Sequence, residues 1–145
     1  MRAALVAILA VCSAFAGLPE VKSEPNLERR AKLALENADH ALSAARSAYA
    51  KQDTTATTAS LKELEESIEV AQGALEDTGK DPRHRPKAFK LGESHTRELL
   101  RRMESFENEM DLDDRKMLDS AKAKLNEANE AWLLGIMNGR KKGEQ

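Results

Sequence analysis

The chain has 145 residues, 33% of them charged and 3% aromatic, with a formal net charge of −2. That length holds one domain around a single core and leaves no room for a second. The acidic balance disfavours nucleic acid as a partner. Abundant Ala, Leu, Glu, Lys and Arg, without the β-branched alternation of strands, point to an all-α chain.

Met1-Arg2, an apolar run from Ala3 to Phe15 and the small-residue pattern Ala14-Phe15-Ala16 read as a secretory signal peptide over residues 1–16. The run is too short to span a bilayer, so the mature chain is expected to carry no transmembrane helix. Cys12 sits inside the apolar run and is not preceded by the small residues of a lipoprotein site. It reads as an ordinary residue of that run, not an acylation site, and cleavage after Ala16 removes the only thiol. Export without a disulfide suits a bacterial periplasm, or secretion from it.

Residues 17–23 contain Pro19 and show no period, so they read as a flexible leader. The first helix is expected over 24–51, with Pro25 in its first turn, where a missing N–H costs nothing. Its seam is Leu27, Ala31, Ala34, Ala38, Ala41, Ala45 and Ala48, in steps of four and three, widened by Leu35, Leu42 and Tyr49. Asp53 then offers an N-cap for a second helix over 54–78, with seam Leu61, Leu64, Ile68, Ala71 and Leu75 and Gly79 as its stop. The short turn makes the two an antiparallel hairpin.

A linker with two prolines, Lys80-Asp81-Pro82-Arg83-His84-Arg85-Pro86, bars helix and concentrates positive charge. The third helix is expected over 87–110, with Phe89, Gly92, Thr96, Leu99, Met103 and Phe106 inward and Gly92 as its weak point. The fourth is expected over 112–138, entered through Asp111 with Asp114 as a capping-box analogue, and carries Leu118, Ala121, Leu125, Ala128, Trp132 and Ile136 inward. Residues 139–145 read as a basic disordered tail. Four helices of similar length joined by two tight turns and one longer linker imply an up-down-up-down four-helix bundle. Two opened hairpins pairing with a second chain bury the same seams.

No catalytic residues stand out. A carboxylate-bridged di-metal bundle needs Glu-x-x-His pairs, whereas Glu36 and His40 are four apart and Glu93 and His95 two apart. Covalent haem needs C-x-x-C-H, and non-covalent ligation by His95 with Met103 or Met117 demands that His95 rotate inward. No phosphate loop or nucleophile elbow is present. The reading is therefore a non-enzymatic protein with no metal or cofactor.

Charge sorts by end. Arg29, Arg30, Lys32, Lys80, Arg83, Arg85, Lys87, Lys90 and Arg140 to Lys142 gather at one pole, and Glu104, Glu107, Glu109, Asp111, Asp113 and Asp114 at the other. Lys87 and Lys90 begin a helix, where positive charge opposes the macrodipole, so capping does not account for them. Arg83, His84, Arg85, Lys87 and Lys90 are accordingly the candidate anion-binding residues, for lipid headgroups, a charged polymer or an acidic protein face of the cell envelope. The competing expectation is a homodimeric or chaperone-like interaction module, and the third a non-covalent haem or metal carrier.

Overall fold

The computed structural model describes residues 17–139. The expected signal peptide, Cys12 and the tail beyond Gly139 lie outside the described residues. Within them the regular structure is helical: α1 (Leu18–Ser23), α2 (Leu27–Ala50), α3 (Thr54–Asp77), α4 (Lys87–Glu109) and α5 (Asp119–Asn138), with a 3₁₀ turn over Arg115–Leu118 before α5. The five helices pack against one another around one apolar core.

The expected seams are the buried faces, except that Leu27 and Ala48, near the two ends of α2, are half-buried. Ala31, Ala34, Ala38, Ala41 and Ala45 of α2 meet Leu61, Leu64, Ile68, Ala71 and Leu75 of α3 in that core, with Leu35 and Leu42 filling beside them. All six inward residues named for α4 are buried, as are Leu118, Ala121, Leu125, Ala128 and Trp132 of the last segment, while Ile136 is half-buried. Asp53 caps α3 by accepting a hydrogen bond from the Ala56 N–H at 3.0 Å, and Gly79 adopts φ +67° just beyond its end.

Three boundaries differ from expectation, each through a contact that local pattern does not encode. Residues 17–23 are not a leader without structure: Leu18 and Val21, one turn apart, are buried against α2 and α3, and this burial holds a helix too short to persist alone. The next helix starts at Leu27, after Pro25, because the Asn26 side chain accepts from the Arg29 N–H at 2.9 Å and takes the cap. The last helix starts at Asp119 instead of 112. Asp114 does not cap it, since its carboxylate accepts the Tyr49 hydroxyl proton at 2.9 Å, and the same hydroxyl oxygen accepts the Asp111 N–H at 3.0 Å.

The registers fix how the hairpins meet. Asn37 bonds Ser67 at equal distance from the short turn between Ala50 and Thr54, so α2 and α3 are antiparallel; Glu107 meets Lys122 and Thr96 meets Asn129, the numbers running in opposite directions, so α4 and α5 are too. Between hairpins, Asp39 meets His95 and Arg46 meets Glu109, while Glu65 meets Ser120 and Glu69 meets Lys124. The sequence numbers advance together, which makes α2 parallel to α4 and α3 parallel to α5. With α3 and α4 barely touching, the 78–86 linker crosses the end of the molecule on a diagonal. It closes that end of the core.

Candidate functional site

The linker is shaped by Asp81. Its Oδ1 accepts the Arg83 N–H at 2.9 Å, its carbonyl accepts the N–H groups of His84 at 3.2 Å and Arg85 at 2.8 Å, and its Oδ2 lies 3.0 Å from His84 Nδ1. An Asx turn of this kind lets a short polar side chain replace the missing ladder of a proline-bounded segment. The turn presses inward on one side. A Cβ built on Gly135 falls 3.1 Å from Pro82 Cγ, and one on Gly139 falls 3.4 Å from Arg83 Cβ, so the last turn of α5 lies directly under the linker. On the other side Lys80 forms an ion pair with Glu28 at the start of α2.

The structure brings all five candidate residues together on this end. Arg83, His84, Arg85, Lys87 and Lys90 are exposed, three on the linker and two in the opening turns of α4. His84 differs from the others because its ring is turned to Asp81, which makes it part of the scaffold of the turn. The four remaining cations form no ion pair among the described residues. Among their neighbours in the basic set Arg29 pairs with Glu24 at 3.4 Å, Lys32 with Glu36 at 3.9 Å and Lys80 with Glu28, while Arg30 donates to the Glu24 carbonyl at 2.7 Å. The basic end is thus narrower than the sequence implies. Its charge is centred on residues 83–90.

Helix chemistry does not explain Lys87 and Lys90, whereas Arg83 lies against the C-terminal end of α5, where positive charge is favoured. The end of α3 and the start of α4 meet here, and Lys87 and Lys90 stand where the α4 dipole is positive. Pro86, at the N-cap, supplies no side-chain bond. At the far end the acids are mostly engaged: Glu109 accepts from Arg46, which holds the carboxyl below the usual range, Glu107 pairs with Lys122 at 2.6 Å, and Asp53 and Asp114 serve the turns.

Beneath the linker a groove of about 430 Å³ is lined by Leu75, Lys80, Pro82, Phe89, Trp132 and Gly135, among others. Beside it Leu133, Leu134 and Met137 stand in solvent, 43%, 55% and 64% exposed, and Leu91 is 41% exposed near the start of α4. This apolar exposure is not among the sequence-based expectations. The signal was in Trp132-Leu133-Leu134-Gly135-Ile136-Met137, a segment apolar all round, although a helix buries only one face against its neighbours.

His95, considered above as a haem ligand, points to α2: its Nε2 lies 2.9 Å from Asp39 Oδ2, and Arg102 holds the other Asp39 oxygen at 3.0 Å. The hydrogen bond to Asp39 raises the His95 pKa, with the Asp39 and Glu36 charges adding to it and burial opposing. Met103 is buried in the core. Among the described residues no three His, Cys, Asp or Glu side chains converge on a metal-binding arrangement, and no helix is long and apolar enough to cross a membrane. Comparison with protein families, with curated proteins and with solved structures finds no match to this chain.

Proposed function

We propose that this is an exported, non-enzymatic protein of the bacterial cell envelope, an up-down-up-down four-helix bundle with α1 laid against it, which engages an anionic partner through its basic end. The carrying observation is the cluster Arg83, Arg85, Lys87 and Lys90: four exposed cations within eight residues, without ion pairs among the described residues, two of them at a helix start that disfavours positive charge. Clustered charge of one sign raises the local concentration of an opposite charge and speeds its encounter. The alternating direction of α2 to α5, read from their registers, supports the bundle.

The test is co-sedimentation with anionic vesicles and with polyphosphate at low and high salt. Binding is expected at low salt, to weaken as salt screens the cluster, and to fall when Arg83, Arg85, Lys87 and Lys90 are changed together to Gln. No binding at low salt, or binding indifferent to the four substitutions, contradicts the proposal. A second reading, a homodimer, draws on the exposed Leu133, Leu134 and Met137. Sedimentation velocity over a range of concentrations distinguishes it.

A further inference from the structure

The geometry points to a lipid bilayer carrying anionic headgroups as the partner of the basic end, with the last turns of α5 entering its interfacial layer. This rests on the basic end being a binding surface and identifies what it binds. The added observation is apolar. Of the five large hydrophobic side chains exposed among the described residues, Leu91, Leu133, Leu134 and Met137 lie at the basic end, and only Leu112 lies at the acidic one.

Three of the four form a contiguous patch. Leu133 and Met137 are four apart, Leu134 and Met137 three apart, so the side chains adjoin on one strip of α5. Followed back along the helix, the same strip carries Glu130 and Asn126, both exposed. The apolar exposure is therefore confined to the end where the linker crosses, not spread along a face as a helix-docking seam is. Gly135 and Gly139, in the same turns, lie against Pro82 and Arg83 on the side of α5 turned away from the patch, so patch and cations share one end of the molecule with the last turns of α5 between them.

Charge and apolar area on one end select among anionic partners. A soluble polyanion satisfies the cations and leaves Leu133, Leu134 and Met137 in water. A bilayer surface satisfies both: headgroup phosphates meet Arg83, Arg85, Lys87 and Lys90, and the apolar side chains enter the acyl boundary beneath. The long stems of Lys and Arg allow the charged groups to stay at headgroup level while the backbone sinks. Insertion of the end of a bundle, with no spanning helix, is the shape of a reversible peripheral attachment.

The experiment compares full-length mature protein on three probes: vesicles of phosphatidylcholine with phosphatidylglycerol, vesicles of phosphatidylcholine alone, and polyphosphate. Leu134→Gln with Met137→Gln removes apolar area at exposed positions without changing charge, and circular dichroism checks that helix content is kept. The double variant is expected to lose about tenfold or more in affinity for the mixed vesicles, and to keep its affinity for polyphosphate. Quenching of Trp132, the lone tryptophan, by lipids brominated in the acyl chain is expected for the parent protein and is expected to fall in the variant.

Vesicle affinity unchanged in the double variant overturns the inference. So does binding to polyphosphate without binding to vesicles, and that result leaves the basic end itself standing as an anion site. Absence of binding to either probe defeats both. If the double variant converts a dimer to a monomer and leaves vesicle binding intact, the patch is the seat of a second copy and the bilayer assignment fails.

Discussion

Gly92 of α4 and the indole of Trp132 on α5 are in direct contact: a Cβ built at Gly92 falls 2.8 Å from Trp132 Cε3 and 2.9 Å from Cζ3. The glycine that reads as a weak point of its helix is thus the space into which the largest side chain of the neighbouring helix fits. The gain of about 1 kcal/mol that Ala brings over Gly in an exposed helix is outweighed here by overpacking, which costs about 1–3 kcal/mol. Gly92→Ala is expected to lower the Tm by several degrees in a thermal melt. A raised Tm contradicts the contact.

Phe106 is fully buried, and its ring meets Tyr49 edge to face with centroids 5.8 Å apart. Phe106→Ala is expected to destabilise by about 3–5 kcal/mol in urea unfolding. A loss below about 1 kcal/mol is outside what a core aromatic of this kind yields.

Tyr49 tests the joint between the hairpins more specifically. Its hydroxyl bridges the Asp111 N–H and the Asp114 carboxylate, so Tyr49→Phe keeps the ring contact and removes both bonds. We expect a loss of about 0.5–3 kcal/mol for the pair, with hydrogen exchange rising first at residues 111–118. Unchanged protection there rules out the bridge as the element that orders the turn.

The link between His95 and Asp39 makes stability depend on pH. The His95 pKa is raised in the folded protein, chiefly by the hydrogen bond to Asp39. Its contribution is therefore fully present below the ordinary histidine value and is lost as pH rises through the folded one. The Tm difference between the parent and His95→Gln is expected to be larger at pH 5.5 than at pH 8.5. A difference that grows toward high pH has the wrong sign.

The seams of α2 to α5 were legible because burial repeats in steps of three and four, and Ala31 to Ala45 or Phe89 to Phe106 carry that repeat in their residue types. Caps made by a single side chain were legible only in part. Asp53 is readable as a cap from its position before α3, whereas Pro25 beside Asn26 offers a competing helix start. What the sequence concealed are contacts whose partners lie far along the chain. Nothing near Leu18 and Val21 announces that α2 and α3 cover them, and nothing near Asp114 announces Tyr49. The same limit applies to the site: the cations of 83–90 stand out as a run, whereas the pairing of Arg29, Lys32 and Lys80 with Glu24, Glu36 and Glu28, which sets them apart, depends on the fold. The apolar patch on α5 emerges only once Trp132 is seen to turn inward and Leu133, Leu134 and Met137 outward.

Where the molecule meets an anion is tested most directly by amide chemical-shift mapping with a short polyphosphate at low salt. Shifts are expected to cluster at Arg83, His84, Arg85, Lys87 and Lys90 and the adjoining last turn of α5, and to fade as salt is raised. Shifts centred on another surface, or none at low salt, contradict it.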